Sequence, residues 1–284
     1  MLRGILVGLD TTEHGEVLTG LAIRWARRFG ASLTGLAIAD EPGIRAIEPL
    51  GPVGGRPGVN PVYYLGYENR MDEARRRADR LAAEFVARCA SAGIAHEEVV
   101  DEGAPDEVIA RRARSHDLVL LPQRSHFEFR AREDLPDEGL VRRVLKDTPR
   151  PIVVVPRSPA PEGPVIVAYD GSLQADRALS AFEATGLGGT GRVHIVSVAD
   201  GPDEATRHAE HARHFLDLHR LAAMAHAIAS SSPPAAIVLA EARRLGAGLL
   251  VMGAYGKPVL REFFLGSFTR TLLAECPIPM FLYH

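Results

Sequence analysis

Cysteine is almost absent from this sequence, which contains only Cys89 and Cys276. The two are far apart and lack metal-ligand spacing, so they indicate a reducing compartment, and Cys276 is expected to be a buried thiol. Long apolar runs are also missing. No segment approaches the roughly 18 residues of a membrane span, and the N-terminal run MLRGILVGLD is too short for a signal peptide. We therefore expect a soluble, cytoplasmic chain with no membrane partner.

Neither sign of charge is in excess. The chain has 33 basic and 36 acidic residues, a net charge of −3, and both signs are distributed over its whole length. A basic run, RRRADR (75–80), lies between acidic residues on a predicted helix and is interpreted as a solvated face. This balance lacks the positive footprint of a nucleic-acid-binding protein, so no nucleic-acid partner is expected.

The sequence repeats itself once along its 284 residues. The segments GILVGLD (4–10) and PVIVAYD (164–170) are short β-rich runs that end in aspartate, and each is followed by a helical pattern and a second apolar strand. Both halves also close alike, with DTPRPIVVVP (147–156) matching AECPIPMFLY (274–283). Strands and helices that alternate at this spacing predict βαβ units and a parallel sheet.

The repeat predicts an α/β fold with two tandem, open, mainly parallel five-stranded sheets flanked by helices. A proline-rich joint, RSPAPEGP (157–164), separates a first domain (1–157) from a second domain (164–284). The predicted strands are 4–9, 32–39, 96–101, 117–122, 152–156, 164–169, 192–198, 224–229, 247–253 and 279–283. The predicted helices are 14–29, 71–92, 104–114, 138–146, 173–186, 203–221, 234–245 and 266–275. The strand at 224–229 is ambiguous, because this segment could also continue the preceding helix.

The first half carries an extra segment, residues 41–70, with six glycines and five prolines. Long segments without secondary structure inside a compact domain are usually lids, binding loops or disordered chain. The tyrosines Tyr63, Tyr64 and Tyr67 favour packing against another surface. A lid and an interdomain clasp are both open interpretations of this insert.

The loop with the most chemical content is GAYGKPVLREFFLGS (253–267), which follows a predicted strand and precedes a predicted helix. Ligands of open parallel sheets bind beyond the carboxyl ends of the strands, where Gly253 lies. Glycine there allows a ligand to approach the backbone closely. Gly266 and Ser267 lie at the predicted start of the helix, where free N–H groups, the positive dipole end and a hydroxyl suit a phosphate.

Two further residues could complete a nucleotide site. Asp170 ends the first strand of the second domain and could accept hydrogen bonds from ribose hydroxyls. Lys257 is one of only two lysines in the chain and could reach a terminal phosphate as a point charge. A nucleotide wrapped by the loop is one interpretation of these residues, and turn glycines with a serine helix cap are the other.

These motifs resemble the universal stress protein family. The pattern Gly-x2-Gly-x9-Gly-Ser is complete in MGAYGKPVLREFFLGSFT (252–269), and VIVAYDGS (165–172) is similar to the family's first strand with its aspartate. Because the resemblance spans both halves, it implies a tandem universal stress protein with a Rossmann-like fold. It further implies that ATP, or ADP or AMP, binds in the second domain together with Mg²⁺. No metal-ligating residues are predicted in the protein itself.

The resemblance also implies roles for individual residues. Adenine would contact the backbone at Val198, with Asp170 and Gly253 on the ribose side. The complete implied nucleotide-binding set is Asp170, Val198, Met252, Gly253, Gly256, Lys257, Gly266, Ser267, Phe268 and Thr269, in which Gly256, Gly266, Ser267 and Thr269 lie on the phosphate side. The closing strands PIVVVP and PMFLYH would pair within one chain as a pseudo-dimer, and two chains would associate as a homodimer.

The first half departs from this pattern. The segment LPQRS (121–125) stands where the second half has MGAYG, so Pro122 and Ser125 replace the two glycines. The later segment EDLPDEGLVRRVL (133–145) offers Gly139 but no Gly-Ser pair, and its acidic residues would repel a phosphate. A phosphate-binding loop is therefore not expected in the first half.

Two residues of a nucleoside groove do remain there. Asp10 and Ile38 occupy the positions that correspond to Asp170 and Val198, so a groove shaped for adenosine could persist. We predict one functional ATP site per chain, in the second domain, and a structural, regulatory or different ligand-binding role for the first domain.

Two other groups of polar residues have less specific patterns. The predicted helix 203–221 carries Glu204 and the histidines His208, His211, His214 and His219. A polar surface helix is the favoured interpretation, and a metal bound by His208, His211 and Glu204 is the alternative. The run Ser230–Ser232 is explained by capping of the next helix, although its place after a strand end leaves a role near the ligand open.

The favoured function is a regulatory, stress-response binding protein, and no catalytic residues are predicted. An enzyme that hydrolyses ATP is the first alternative, but only Ser267, Thr269 and Lys257 lie near the expected phosphates and no general base is evident. A phospho-receiver domain requires clustered acidic residues at the first strand end, whereas Asp10 and Asp170 each stand alone. A scaffold without a nucleotide is the third alternative.

Overall fold

In the part of the chain that the structure describes, ten strands form one sheet with helices on both faces. The computed structural model of the chain describes residues 1–10, 14–46, 61–124, 138–159, 161–254 and 266–284. The strands are β1 (Gly4–Gly8), β2 (Ser32–Ala39), β3 (His96–Glu102), β4 (Leu118–Pro122), β5 (Ile152–Val155), β6 (Val165–Ala168), β7 (Val193–Ala199), β8 (Ala223–Ala229), β9 (Leu249–Gly253) and β10 (Met280–Tyr283). The helices are α1 (His14–Phe29), α2 (Glu41–Ala46), α3 (Pro61–Ala92), α4 (Pro105–Ala113), α5 (Glu138–Asp147), α6 (Leu173–Thr185), α7 (Pro202–Leu218), α8 (Pro234–Leu245) and α9 (Ser267–Glu275).

The two halves of the chain have the same strand order. Across the sheet the order is β3-β2-β1-β4-β5-β10-β9-β6-β7-β8. Counted from its outer edge towards the middle of the sheet, each half has its third, second, first, fourth and fifth strand in that order. Pairing is parallel within each half, as between β1 and β2 or β6 and β7. The predicted α/β fold with mainly parallel strands is therefore confirmed, including the ambiguous strand β8.

One antiparallel contact joins the halves into a continuous sheet. Strand β5 pairs with β10 so that Met280 lies opposite Val154 and Leu282 opposite Ile152. The expected pairing of the two closing strands within one chain is confirmed. It occurs because each of these strands lies at an edge of its own half, with buried apolar residues on both faces.

The core consists of two layers, one on each face of the sheet. The first layer packs strand residues such as Ile5 and Val7 against α1, α3, α6 and α7. The second packs alternate residues such as Leu6 against α4, α5, α8 and α9. Strands covered on both faces are apolar along their whole length, which is why the central strands appear as continuous Val, Ile and Leu runs in the sequence.

The expectation that residues 41–70 lack secondary structure is wrong for the described part of that segment. Residues 41–46 form α2, and α3 begins at Pro61 rather than at residue 71. The backbone N–H of Gly43 donates to Asp40 Oδ1 at 2.9 Å, and the Tyr67 hydroxyl donates to Glu41 Oε1 at 2.9 Å. These side-chain bonds stabilise helical turns in a sequence rich in glycine and proline. Residues 47–60 lie outside the described part of the chain.

The expectation of a buried thiol is confirmed for Cys276, and Cys89 is buried as well. Burial raises the pKa of each thiol to about 11, so both are protonated near neutral pH. Within the described ranges, no helix is long and apolar enough to cross a membrane.

A pair of histidines lies on the sheet between two neighbouring strands. His194 of β7 is 6% exposed, and its Nδ1 lies 2.8 Å from Nε2 of His226 on β8. Only one of the two nitrogens can carry the shared proton, so the contact needs at least one neutral ring. Burial, followed by the charges of His226, Arg192 and Arg244, lowers the pKa of His194, and Glu241 opposes this shift.

This pair predicts a loss of stability in mild acid. The folded-state pKa of His194 lies below its unfolded value near 6.5, so the unfolded chain binds more protons below that pH. We expect the free energy of unfolding to fall as the pH decreases from about 7 to about 5. Urea titrations across this range, with a His194→Phe variant as reference, measure the effect. An equally steep pH dependence in the variant would assign it to other groups.

Candidate functional site

A cavity of about 580 Å³ opens at the carboxyl ends of β6, β7 and β9 in the second half. The chain passes from β6 to β7 on one side and reaches β9 on the other, so this is the point where the strand order reverses. Open α/β sheets bind ligands at such points. Eight of the ten predicted site residues line the cavity, namely Asp170, Val198, Met252, Gly253, Gly266, Ser267, Phe268 and Thr269.

The N-terminus of α9 forms one wall of the cavity. Gly266 is the residue before the helix, and among the described residues no side-chain cap of the first turn is seen. This excludes the serine-cap explanation, because Ser267 is already the first helical residue. The φ of Gly266 is −56°, and an added Cβ would meet no atom within 4 Å. Neither conformation nor packing among the described residues requires glycine here, whereas the close approach of an anion to the helix end would.

Asp170 lies on the opposite wall in the turn between β6 and α6. Its Oδ1 accepts the backbone N–H of Ser172 at 3.0 Å, and Ser172 Oγ accepts the N–H of Ala175 at 3.2 Å, which caps α6. Gly171 between them has φ +72°, and an added Cβ would lie 2.6 Å from Cδ2 of His208. This turn therefore holds the exposed carboxylate of Asp170 in one place at the rim of the cavity.

The structure changes the explanation for Gly253. A Cβ at this residue would lie 2.5 Å from the carbonyl carbon of Gln174 and 2.7 Å from the N of Ala175. Glycine is thus needed because the backbone of α6 packs directly against the end of β9. Gly253 also lines the cavity, so its place beside a ligand stays a prediction. Two predicted site residues, Gly256 and Lys257, lie outside the described part of the chain.

Helix α7 supplies two polar residues to the cavity that the sequence assigned to a surface face. Glu204 and His208 line it together with Asp200, which precedes the helix. Only Asp200 and Gly201 separate the end of β7 from α7, so the first two turns of the helix lie beside the cavity. The short connection was the signal in the sequence that could have revealed this.

Another histidine of α7, His211, contacts groups of the neighbouring helix α6 and of the end of β6. The ring of His211 stacks on Tyr169 with centroids 6.0 Å apart, and its Nε2 lies 3.7 Å from Asp176 Oδ1. The Tyr169 hydroxyl also hydrogen-bonds to Asp176, and burial together with this bond raises the pKa of Tyr169. Among the residues that the structure describes, no group of three or more His, Cys, Asp and Glu side chains is arranged to hold a metal.

The serine run between β8 and α8 also lines the cavity. Ser230, Ser231 and Ser232 all contribute to its wall, and Ser230 Oγ accepts the N–H of Ser232 at 3.1 Å. The capping explanation is wrong, because the residue that precedes α8 is Pro233 and no side chain caps the helix. Proline at the first helical position, Pro234, begins this helix instead.

The two walls of the cavity differ in charge. Its described lining residues include the carboxylates of Asp170, Asp200 and Glu204 and contain no lysine or arginine. Carboxylates repel a phosphate and accept hydrogen bonds from hydroxyl and amino groups. The helix end at Gly266 has the opposite character, because it offers N–H donors and the positive end of the helix dipole. A ligand with a hydroxyl-rich end and an anionic end is complementary to both walls.

The corresponding region of the first half differs in several respects. Asp10 is only 3% exposed, and a cavity beside it measures about 110 Å³, well below the usual size of a small-molecule site. Pro122 ends β4, and Gly139 lies inside α5 rather than in a loop. Ile38 is partly buried against the core. Ser125 and the acidic residues 133–137 lie outside the described part of the chain.

One side chain of the first half contacts the helix of the candidate site. Gln123 follows β4, and its Nε2 donates to the carbonyl oxygens of Leu273 at 2.7 Å and Cys276 at 3.2 Å. These oxygens lie at the C-terminal end of α9, where backbone acceptors lack partners within the helix. The first half thus fixes one end of the helix whose other end lines the cavity.

Comparison with known proteins identifies the second half. Residues 163–284 match the model of the universal stress protein family, so this part of the chain is a universal stress protein domain. Among curated protein sequences, none matches the chain.

Solved structures extend the likeness to the whole fold. A universal stress protein from Archaeoglobus fulgidus is similar with a TM-score of 0.70 and 20% identity, over 99% of this chain and 97% of that one. A putative universal stress protein from Pseudomonas aeruginosa has a TM-score of 0.59 and 16% identity, over 99% of this chain and 93% of its own. At such identities the likeness concerns the fold alone. It covers both halves, in agreement with the tandem arrangement of strands.

Proposed function

We propose that the chain is a tandem universal stress protein that binds one adenine nucleotide, ATP in the first place, in its second half. It would act by binding, as a stress-response or regulatory protein of the cytoplasm, and not primarily as a catalyst. The observation that carries this proposal is the cavity at the end of β6, β7 and β9, which joins an uncapped helix N-terminus to a wall of carboxylates and hydroxyls.

The cavity suits the parts of a nucleotide in order. The N–H groups at Gly266, Ser267 and Phe268, at the start of α9, would donate to a phosphate, and Thr269 also lines this wall and carries a hydroxyl. Asp170 would accept hydrogen bonds from the ribose, and the backbone at Val198 would contact adenine. Gly256 and Lys257 remain predictions for the phosphate side.

Mg²⁺ is the expected companion of the phosphates. This ion usually retains water and binds through substrate phosphates plus one or two carboxylates, so it needs no cage of protein ligands. The three carboxylates that line the cavity, those of Asp170, Asp200 and Glu204, are of the type that Mg²⁺ accepts. When bound, the ion would neutralise part of the phosphate charge.

The first half is proposed to bind no ATP and to support the second. Its aspartate is buried, its strand β4 ends in proline, and Gln123 contacts α9. The buried aspartate is not free to meet a ligand, and the proline offers no backbone N–H to a phosphate. Gln123 uses its side-chain amide for a contact between the halves.

The test is to measure the nucleotide that accompanies the purified protein. Protein prepared without added nucleotide is denatured, and the supernatant is analysed by chromatography. We expect ATP close to one equivalent per chain, since such sites are few per protein. Two equivalents would contradict the proposal for the first half, and mainly ADP would favour the hydrolase. No nucleotide, together with no binding on calorimetric titration of ATP with Mg²⁺, would overturn the proposed function.

A further inference from the structure

The ten-stranded sheet ends in two edge strands, β3 at one side and β8 at the other. In the part of the chain that the structure describes, β3 pairs with β2 and β8 pairs with β7, and no strand covers the outer side of either. The outward N–H and C=O groups of an edge strand form a ready template for another strand unless side chains block it.

The β3 edge is blocked by charge. Its sequence, HEEVVDE, contains four carboxylates in seven residues. Asp101 binds Arg112 and Arg111 of α4, and Glu102 binds Arg75 of α3, so large charged groups surround the strand. Pairing of β3 with a second β3 would bring further carboxylates opposite one another, which is unfavourable.

The β8 strand carries no such charged residues. Its sequence, AMAHAIA, contains no carboxylate, lysine, arginine or proline. Met224 on this strand is 55% exposed, and Leu218, the last residue of the neighbouring helix α7, is 69% exposed. An uncharged edge beside exposed apolar side chains is a typical site for the addition of a strand.

The order of residues in β8 indicates which strand would be added. AMAHAIA is nearly a palindrome about His226. If a second copy pairs antiparallel around that residue, every alanine lies opposite an alanine, Met224 lies opposite Ile228, and His226 lies opposite its own copy. Side chains alternate between the two faces of a strand, so the large residues share one face and the alanines the other. Each face therefore meets a partner of the same size, which favours cross-strand packing.

We propose that β8 is a self-association edge through which two copies of this chain pair antiparallel, with a two-fold axis at His226. The two sheets become one continuous sheet, in the way that β5 and β10 already join the two halves within the chain. Because the same strand is used by both copies, the interface closes on itself and gives a dimer rather than a filament. A seven-residue strand buries less than the roughly 1,600 Å² of a standard interface, so the dimer is concentration-dependent.

Sedimentation velocity of the full chain tests the surface. Over a range from about 1 to about 100 µM, we expect the wild type to pass from monomer to dimer, as for an affinity in the micromolar range. The Met224→Lys variant is expected to remain monomeric throughout. The matched control is Val100→Lys, because Val100 is also an exposed apolar residue on an edge strand but belongs to β3. It should dimerise as the wild type does, and thermal unfolding confirms that both variants are folded.

Disulfide formation tests the register. Antiparallel pairing about His226 places residue 225 of one copy opposite residue 227 of the other. Mixing the single variants Ala225→Cys and Ala227→Cys under mild oxidation should give far more linked dimer than either variant alone, and the native cysteines are buried. A monomeric wild type at all concentrations, open-ended oligomers, equal loss of dimer in both lysine variants, or linkage independent of mixing would each overturn the proposal.

Discussion

We expect the Gly266→Glu variant to lose nucleotide binding by about 100-fold or more while keeping its fold. Gly266 precedes α9, and an added side chain would meet no atom within 4 Å among the described residues. A carboxylate is favourable at a helix N-terminus, so the substitution should not destabilise the helix. The same carboxylate would occupy the place of a phosphate and repel the others.

Calorimetric titration of ATP with Mg²⁺ measures this loss. Gly20→Glu is the matched control, since it adds the same charge at an exposed position of α1 where a Cβ likewise meets no atom within 4 Å. It should bind as the wild type does. Unchanged affinity in Gly266→Glu would show that the phosphates lie elsewhere, even if the chain binds a nucleotide.

The second large effect concerns the contact between the halves. Phe281 of β10 is fully buried, lies opposite Val153 of β5, and packs edge to face on Phe182 with ring centroids 6.0 Å apart. Replacement by alanine would leave a cavity where the two halves meet. We expect Phe281→Ala to lower the free energy of unfolding by about 3–5 kcal/mol.

Urea unfolding followed by two probes measures this loss of stability and shows whether it extends to both halves. Trp25, the single tryptophan, lies in α1 of the first half and packs against the hydrophobic layer to which both halves contribute, whereas circular dichroism reports the whole chain. If the continuous sheet couples the halves, the Trp25 transition shifts together with the circular dichroism signal. A Trp25 transition that stays at the wild-type midpoint would mean that the halves unfold separately. Leu173→Ala, at a position 59% exposed, should change stability by no more than about 0.5 kcal/mol.

The candidate site was predictable from the sequence wherever its residues belong to one continuous pattern. Gly266 and Ser267 are adjacent at a helix start, and a helix N-terminus presents its free N–H groups whatever surrounds it. Asp170 follows an apolar strand, and the ends of parallel strands meet at one edge of a sheet. Local rules of this kind supplied Asp170, Gly253, Gly266 and Ser267. The family resemblance supplied four further residues that line the same cavity, namely Val198, Met252, Phe268 and Thr269.

Other members of the site depended on contacts that no local pattern encodes. Glu204 and His208 resemble any polar pair on an exposed helix, and only the packing of α7 on the sheet brings them to the cavity. The serines at 230–232 were equally consistent with a helix cap, and that interpretation failed because Pro233 precedes α8 and Pro234 begins it. At Gly253 the structure adds a reason for glycine that no local pattern showed, the close approach of α6.

The sequence by itself determined the alternation of strands and helices, the repeat, and the position of the phosphate-type loop, because hydrophobic periodicity and glycine spacing act over a few residues. Only the tertiary structure decided how the two repeats combine. The joint of β5 with β10, the bond from Gln123 to the end of α9, and the contact of His194 with His226 each connect residues far apart in the chain. Such contacts form only after the strands have taken their order in the sheet. They therefore depend on the tertiary structure and not on any local sequence pattern.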